Sequence, residues 1–232
     1  AEALDVFGHA LPVLAGIDGN YRPEAPDMAG AELALASLDE ALGREDAALR
    51  PSPWEEVRDF FHYCDNYLDA VDRAAEHFVT TADGKDTRTK AASALHKRGI
   101  SLEFSDSSAL RSYDPVARRL AISSRAPEAT QRFQLLLQVA LVTQNDLFDA
   151  TLDLARFATP EARDIAKIGL ANYFAGAALL PYRSFLDAAG ETRHDLERLA
   201  DMFGASIEQV AHRLSTLQRP GAKGIPFFFV RV

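Results

Sequence analysis

Six histidines and one cysteine are the side chains in this chain most readily turned to metal or nucleophilic chemistry: His9, His62, His77, His96, His194, His212 and Cys64. No two of the histidines stand three to five residues apart, the spacing that lets one helix face present two imidazoles to a metal, so no metal site is expected. Cys64 falls on an apolar helical stripe, where a thiol packs as a small hydrophobe. A Gly-x-Ser-x-Gly elbow, a P-loop and a dinucleotide glycine pattern are all missing. What stands out is charge. Residues 85–125 hold nine bases (Lys85, Arg88, Lys90, Lys97, Arg98, Arg111, Arg118, Arg119, Arg125) against four acids, whereas residues 1–56 hold twelve acids against three bases. A basic island in a chain of net charge -9 suits a small polyanion better than duplex nucleic acid, although a solvated helix face and hairpin would use the same residues.

These residues sit in 232 positions that are 47% hydrophobic and 25% charged, the balance of a globular chain with a substantial core. No apolar run approaches the ~20 residues a bilayer requires, so no membrane partner is expected. One cysteine rules out an internal disulfide framework and any thiolate-built zinc or iron–sulfur site within this chain. The chain begins at Ala1 without the layout of a signal peptide, and it reads as a cytoplasmic piece of something longer.

The elements that must position the basic island are mostly helical. Ala29 to Leu42 carries leucines at helical spacing, and residues 1–51 read as an N-terminal helical extension or linker, with the main domain over 52–232. Ser52-Pro53-Trp54-Glu55 is a capping box with proline at the first helical position. The apolar stripe that follows, Val57, Phe60, Phe61, Cys64, Tyr67, Leu68, Val71, Ala75 and Phe78, predicts one helix of about seven turns, the longest of the chain, with His62, Asp65, Asn66, Asp69 and Asp72 off the stripe. A second helix spans about Thr87 to Lys97 and closes at Gly99. Alternation at Leu102 and Phe104, then at Leu120 and Ile122 after a turn at Asp114-Pro115, predicts a small antiparallel sheet.

Pro127-Glu128 opens a helix apolar all round from Phe133 to Val142, which must be buried centrally, with Gln134 and Gln138 on one face needing partners. Thr159-Pro160-Glu161 opens another, ending near Pro181. His194 to Phe203 and Ser206 to Leu217 pair around Gly204 at helix-turn-helix spacing, but Glu208, Gln209, His212, Arg213 and Arg219 are a thin set for phosphate contacts, which favours structural packing. Gly224 to Val232 reads as a strand, and an end inside a strand fits a domain truncated there.

At the central helix the chain resembles a known family. Arg118-Arg119-Leu120-Ala121-Ile122-Ser123, then Arg132-Phe133-Gln134-Leu135-Leu136-Leu137-Gln138-Val139-Ala140-Leu141, is similar to the IrrE-like zinc-metallopeptidase domain, whose strand is followed by Arg-Phe-x-x-x-His-Glu-x-x-His. Leu170-Ala171-Asn172-Tyr173-Phe174-Ala175 with Leu179-Leu180-Pro181 resembles that family's Glu-Ala-Asn-x-Phe-Ala…Leu-x-Pro stretch. The resemblance implies an α+β, predominantly helical, zincin-like fold with a small antiparallel sheet and a buried central helix. It puts Leu137 and Leu141 at the zinc-histidine positions, Gln138 at the catalytic glutamate and Leu170 at the third ligand, so neither a metal nor peptidase activity is implied.

Within that superfamily, the degenerate helix, Glu55 to His62 with Asn66-Tyr67, and Ala171 to Ala175 resemble the transcriptional regulators that sense short-chain fatty-acyl-CoA. Those imply coenzyme A or a short-chain acyl-CoA such as propionyl-CoA as effector. They also imply DNA binding through a helix-turn-helix domain absent from this chain, and an iron–sulfur cluster only in a missing C-terminal segment. The expected phosphate contacts are Lys97, Arg98 and Arg119, then Arg88 and Arg118. The pantetheine arm is expected along the strand Arg118 to Ser124, taken as an edge, and the acyl end among Gln134, Leu137, Gln138, Leu141, Leu170, Tyr173 and Phe174. A cavity filled by its leucines, a non-catalytic scaffold forming a homodimer, and a residual hydrolase are the alternatives.

Overall fold

A computed structural model of the protein describes residues 52–227. The expected helix at Ala29 to Leu42 and most of the expected C-terminal strand lie outside the described residues. Within them the fold is mostly helical with a three-stranded sheet.

Helix α1 (Pro53–Tyr63) starts as its capping box dictates: the Glu55 N–H donates to Ser52 Oγ at 3.3 Å and the Ser52 N–H to Glu55 Oε2 at 2.6 Å. It stops at Cys64. Asp65 and Asn66 take left-handed backbone angles (φ 52 and 55), which short polar side chains tolerate, and the chain restarts as α2 (Asp69–Thr81). The single long helix expected here is therefore two. The inward stripe survives the break, since Val57, Phe61, Leu68, Val71 and Ala75 are all buried, but Asp72 joins them at 0% exposure and Cys64 is only half-buried. Helix α3 (Thr87–Lys97) has the expected span and closes at Gly99 (φ +73) as expected, and Asp86 caps its start.

The sheet corrects the expectation of a purely antiparallel pair. Strands β1 (Ser101–Ser105), β2 (Arg111–Asp114) and β3 (Arg119–Ser123) lie in the order β1-β3-β2. β1 runs parallel to β3, with Leu102 opposite Leu120 and Phe104 opposite Ile122. The antiparallel partner of β3 is β2, whose four residues offer one apolar side chain and no alternation to read. Leu120 and Ile122 are buried as expected, whereas Phe104 is 40% exposed under the guanidinium of Arg88, 4.7 Å from its ring centre.

Helix α4 (Glu128–Thr143) is the buried centre, packed against α3, β3 and α6 (Pro160–Leu179). At 20 residues α6 is the longest element described. A Cβ at its Gly169 would stand 2.8 Å from the Phe61 ring, so α1 sits directly on α6 there. Helices α5 (Asn145–Asp153) and α7 (Tyr182–Glu191) carry too few periodic positions to be read from sequence; each is held by two or more buried residues, Phe148 and Leu152 in the first, Tyr182 and Phe185 in the second. Helices α8 (Leu196–Phe203) and α9 (Ile207–Ser215) form the expected pair, with Gly204 left-handed between them. Residues 224–227 form no strand. No helix among the described residues is long and apolar enough to cross a membrane.

Candidate functional site

The C-terminal ends of α3 and α4 and one side of α2 enclose a cleft of about 540 Å³. Lys97 and Arg98 stand at its mouth with His77, and Ala74, Phe78 and Ala94 supply its apolar wall. Thr143 and Gln144 complete its lining. Lys97 Nζ donates to Asp83 Oδ2 at 2.6 Å, and this hydrogen bond holds the Asp83 carboxyl below the usual carboxylate range. Both side chains are more than half exposed, so solvent screens the pair and a phosphate can compete for the lysine.

The other basic candidates extend this patch. The Arg118 guanidinium reaches the carbonyl of Arg98 at 3.5 Å, and Arg119 follows it, paired in register with Ser101 and 4.0 Å from Glu103. Lys97, Arg98, Arg118 and Arg119 are thus neighbours around one end of the sheet. Arg88 lies apart, over Phe104 on the other end of β1.

The apolar candidates lie deeper. Gln134, Leu137, Gln138, Leu170, Tyr173 and Phe174 are all buried, and Leu141 is half-buried. Phe174 stacks behind the cleft wall, its ring centre 5.9 Å from that of Phe78. Gln138 Oε1 accepts a hydrogen bond from the guanidinium of Arg111 on β2. Tyr173 is committed elsewhere: its hydroxyl donates to Asp72 at 2.8 Å and accepts the Leu68 N–H at 3.3 Å. Burial pushes its phenol well above the ordinary value, so the proton stays on the oxygen. The strand proposed to pair with an extended ligand, β3, is the central one, hydrogen-bonded on both sides; the sheet's edges are β1 and β2.

Sequence reasoning missed a second cluster. Asp72 receives both Arg213 terminal nitrogens (2.7 and 3.1 Å) and Arg219 (3.1 Å), and Arg219 also reaches Glu76 (2.8 Å) and the Tyr67 hydroxyl (2.8 Å). Arg213 therefore faces inward, and Gln209 is spent on the capping box of α9. His212 is half-buried, and desolvation pushes its imidazole down to about 4. The only hint in the sequence was an acid one helical turn from two inward apolar residues, and that pattern is shared with many solvated positions.

Residues 100–215 match the IrrE N-terminal-like domain of peptidase family M78. The chain belongs to the IrrE-like family. It is 74% identical over 199 residues to the propionyl-CoA carboxylase regulator of Cereibacter sphaeroides, covering 85% of this chain and 43% of that protein. To the HTH-type transcriptional regulator PrpR of Mycobacterium tuberculosis it is 44% identical over 190 residues, 78% of this chain and 39% of that one. A solved Mycobacterium tuberculosis transcriptional regulator superposes with a TM-score of 0.72 at 42% identity, covering 75% of this chain and 55% of that chain. The chain spans less than half the length of these curated relatives.

An IrrE-like peptidase domain implies zinc. At the positions that the sequence resemblance assigns to its ligands, Leu137, Leu141 and Leu170 offer no donor atom and do not fit that metal, and the Gln138 amide is taken by the positive guanidinium of Arg111. Among the described residues, no three His, Cys, Asp or Glu stand close enough to hold a metal ion.

Proposed function

We propose that this IrrE-like domain is the effector-sensing part of a cytoplasmic transcription regulator of short-chain acyl metabolism. It binds coenzyme A or a short-chain acyl-CoA such as propionyl-CoA, and it catalyses no reaction. The observation that carries this reading is the cleft beside α2, where Lys97 and Arg98 meet an apolar wall of Ala74, Phe78 and Ala94. Phosphates prefer such basic mouths through charge-assisted hydrogen bonds, while each buried CH₂ of an acyl tail contributes about 0.8 kcal/mol. The relatives named as regulators, one of them of propionyl-CoA carboxylase, support the same effector class.

The phosphates bind Lys97 and Arg98, with Arg118 and Arg119 beside them and Arg88 in reserve. The acyl end runs past Phe78 toward Phe174 and Leu141, with Leu137, Leu170, Gln134 and Gln138 behind. Tyr173 serves the fold through Asp72. Contact with DNA belongs to a part of the protein outside this chain, as does any iron–sulfur cluster.

Isothermal titration with propionyl-CoA, followed by mass analysis of the recovered ligand, tests the reading. Binding of intact thioester is expected, and cleaved product would overturn the non-enzymatic part. Replacing Lys97 and Arg98 together by glutamate should weaken binding by about 100-fold or more, since two charge-assisted contacts become repulsive. Unchanged affinity would remove the phosphates from this cleft.

A further inference from the structure

Helix α2 has two working sides. At about 100° per residue, Asp72 and Glu76 fall on one side, and Ala74, His77, Phe78 and Thr81 fall roughly opposite. The second side lines the cleft. The first side holds the segment that follows α9. Arg219 NH2 bonds Asp72 at 3.1 Å and Glu76 at 2.8 Å, its Nε bonds the Tyr67 hydroxyl at 2.8 Å, and its guanidinium lies 4.1 Å from the centre of the Tyr182 ring. The Arg219 N–H donates to the Tyr182 hydroxyl, which in turn donates to the Ala222 carbonyl. Residues 216–227 form no helix or strand; Leu217 anchors them in the core, and the Arg219 side chain fastens them to α2.

The position of α2 depends on its neighbours more than on itself. Its start carries no side-chain cap, since Leu68 precedes it, while in its last turn the Thr80 and Thr81 hydroxyls donate to the His77 carbonyl at 2.9 and 2.7 Å. Its start is pinned by the Tyr173 hydroxyl on the Leu68 N–H. Its far end is tied to α3 by Lys90, which donates to the Val79 carbonyl, and by Lys97, which holds Asp83 just beyond the last turn. An anion that takes Lys97 at the cleft mouth frees Asp83 and removes one of the two ties to α3, leaving the Lys90 hydrogen bond to Val79.

The two arginines on Asp72 then play different parts. Arg213 has a side chain 2% exposed, bonds Asp72 through both terminal nitrogens and also donates to the Leu180 carbonyl at 2.8 Å, so it is the pivot. Arg219 is 15% exposed and rests on the half-exposed rim of Glu76, where water can replace a lost partner.

We infer that α2 is a lever that couples occupancy of the Lys97–Arg98 cleft to the grip of Asp72 and Glu76 on Arg219. An anion in the cleft loosens residues 216–227, and the clasped state resists the anion by the same factor, because coupling between two sites is reciprocal. The inference takes from the preceding reading the chemical identity of the anion and its place at Lys97 and Arg98.

Amide exchange followed by mass spectrometry, on the whole chain, tests the lever without any ligand. Asp83→Asn cuts the tether at an exposed position, and residues 216–227 should exchange about three-fold faster or more while α6 keeps its protection. Unchanged exchange over 216–227 would overturn the lever. A second arm measures coenzyme A affinity by titration. Arg219→Met should bind it about five-fold more tightly or better, the lower end of ordinary coupling between sites. Equal or weaker binding would also overturn the lever. Glu76→Gln serves in its place if Arg219→Met loses α6 protection. Should the unaltered chain take up no coenzyme A, the effector reading falls, and the Asp83→Asn result still decides the lever.

Discussion

Single side chains in this protein separate into those that water screens and those that are partly or wholly withdrawn from it. His212 belongs to the second group. Its folded pKa, about 4, lies below the unfolded value of 6.5, because burial penalises the charged imidazole. Stability from this residue is complete above pH 6.5 and is lost as pH falls toward 4, by up to about 1.4 kcal/mol per pH unit. Urea unfolding of a His212→Gln variant should show a flatter dependence than the parent between pH 6.5 and 4; parallel curves would contradict it. The Asp83 and Asp149 carboxyls are held below their ordinary value chiefly by hydrogen bonds from Lys97 and Lys167. Residue types alone could nominate Lys97 and Arg98 for anion binding. They could not tell that Arg213 and Tyr173 are bound to Asp72, because a side chain's partner is a property of the folded neighbourhood.

Elements were legible where their signals are local. The capping boxes at Ser52 and Ser206, Gly99 and Gly204 at helix ends, and the all-apolar centre of α4 each follow from a few adjacent residues. What was not legible depended on a neighbour: the left-handed pair Asp65-Asn66 that splits α1 from α2, the short strand β2, and helices α5 and α7. The packing of α1 on α6 yields a test at this scale. Gly169→Ala places a methyl group 2.8 Å from the Phe61 ring and should destabilise by about 1–3 kcal/mol. Gly176→Ala on the same helix meets nothing within 4 Å and should stabilise by about 0.5–1 kcal/mol, since alanine loses less backbone freedom in a helix. Denaturant midpoints of the two variants should move in opposite directions.

At the scale of the molecule, Asp72 is the knot. It joins α2 to α6 through Tyr173, to α9 through Arg213 and to the following segment through Arg219. Removing one partner of a buried ion pair leaves the other charge uncompensated, so Asp72→Asn should cost roughly 3–5 kcal/mol in equilibrium unfolding. The exposed Arg183–Asp187 pair on α7 has no such role, and Asp187→Asn should leave the midpoint within error. A small effect at Asp72 would mean that Arg213 finds water or another acceptor. By itself the sequence determined the helical class, the buried central helix, the helix caps and the location of the basic island, because periodicity and capping act over three or four residues. Only the tertiary structure decided the β1-β3-β2 order, the cleft between α2 and α3, and the union of Asp72 with an arginine 141 residues away. Those depend on which surfaces meet when the apolar faces of distant segments are withdrawn from water together, and no local pattern encodes that choice.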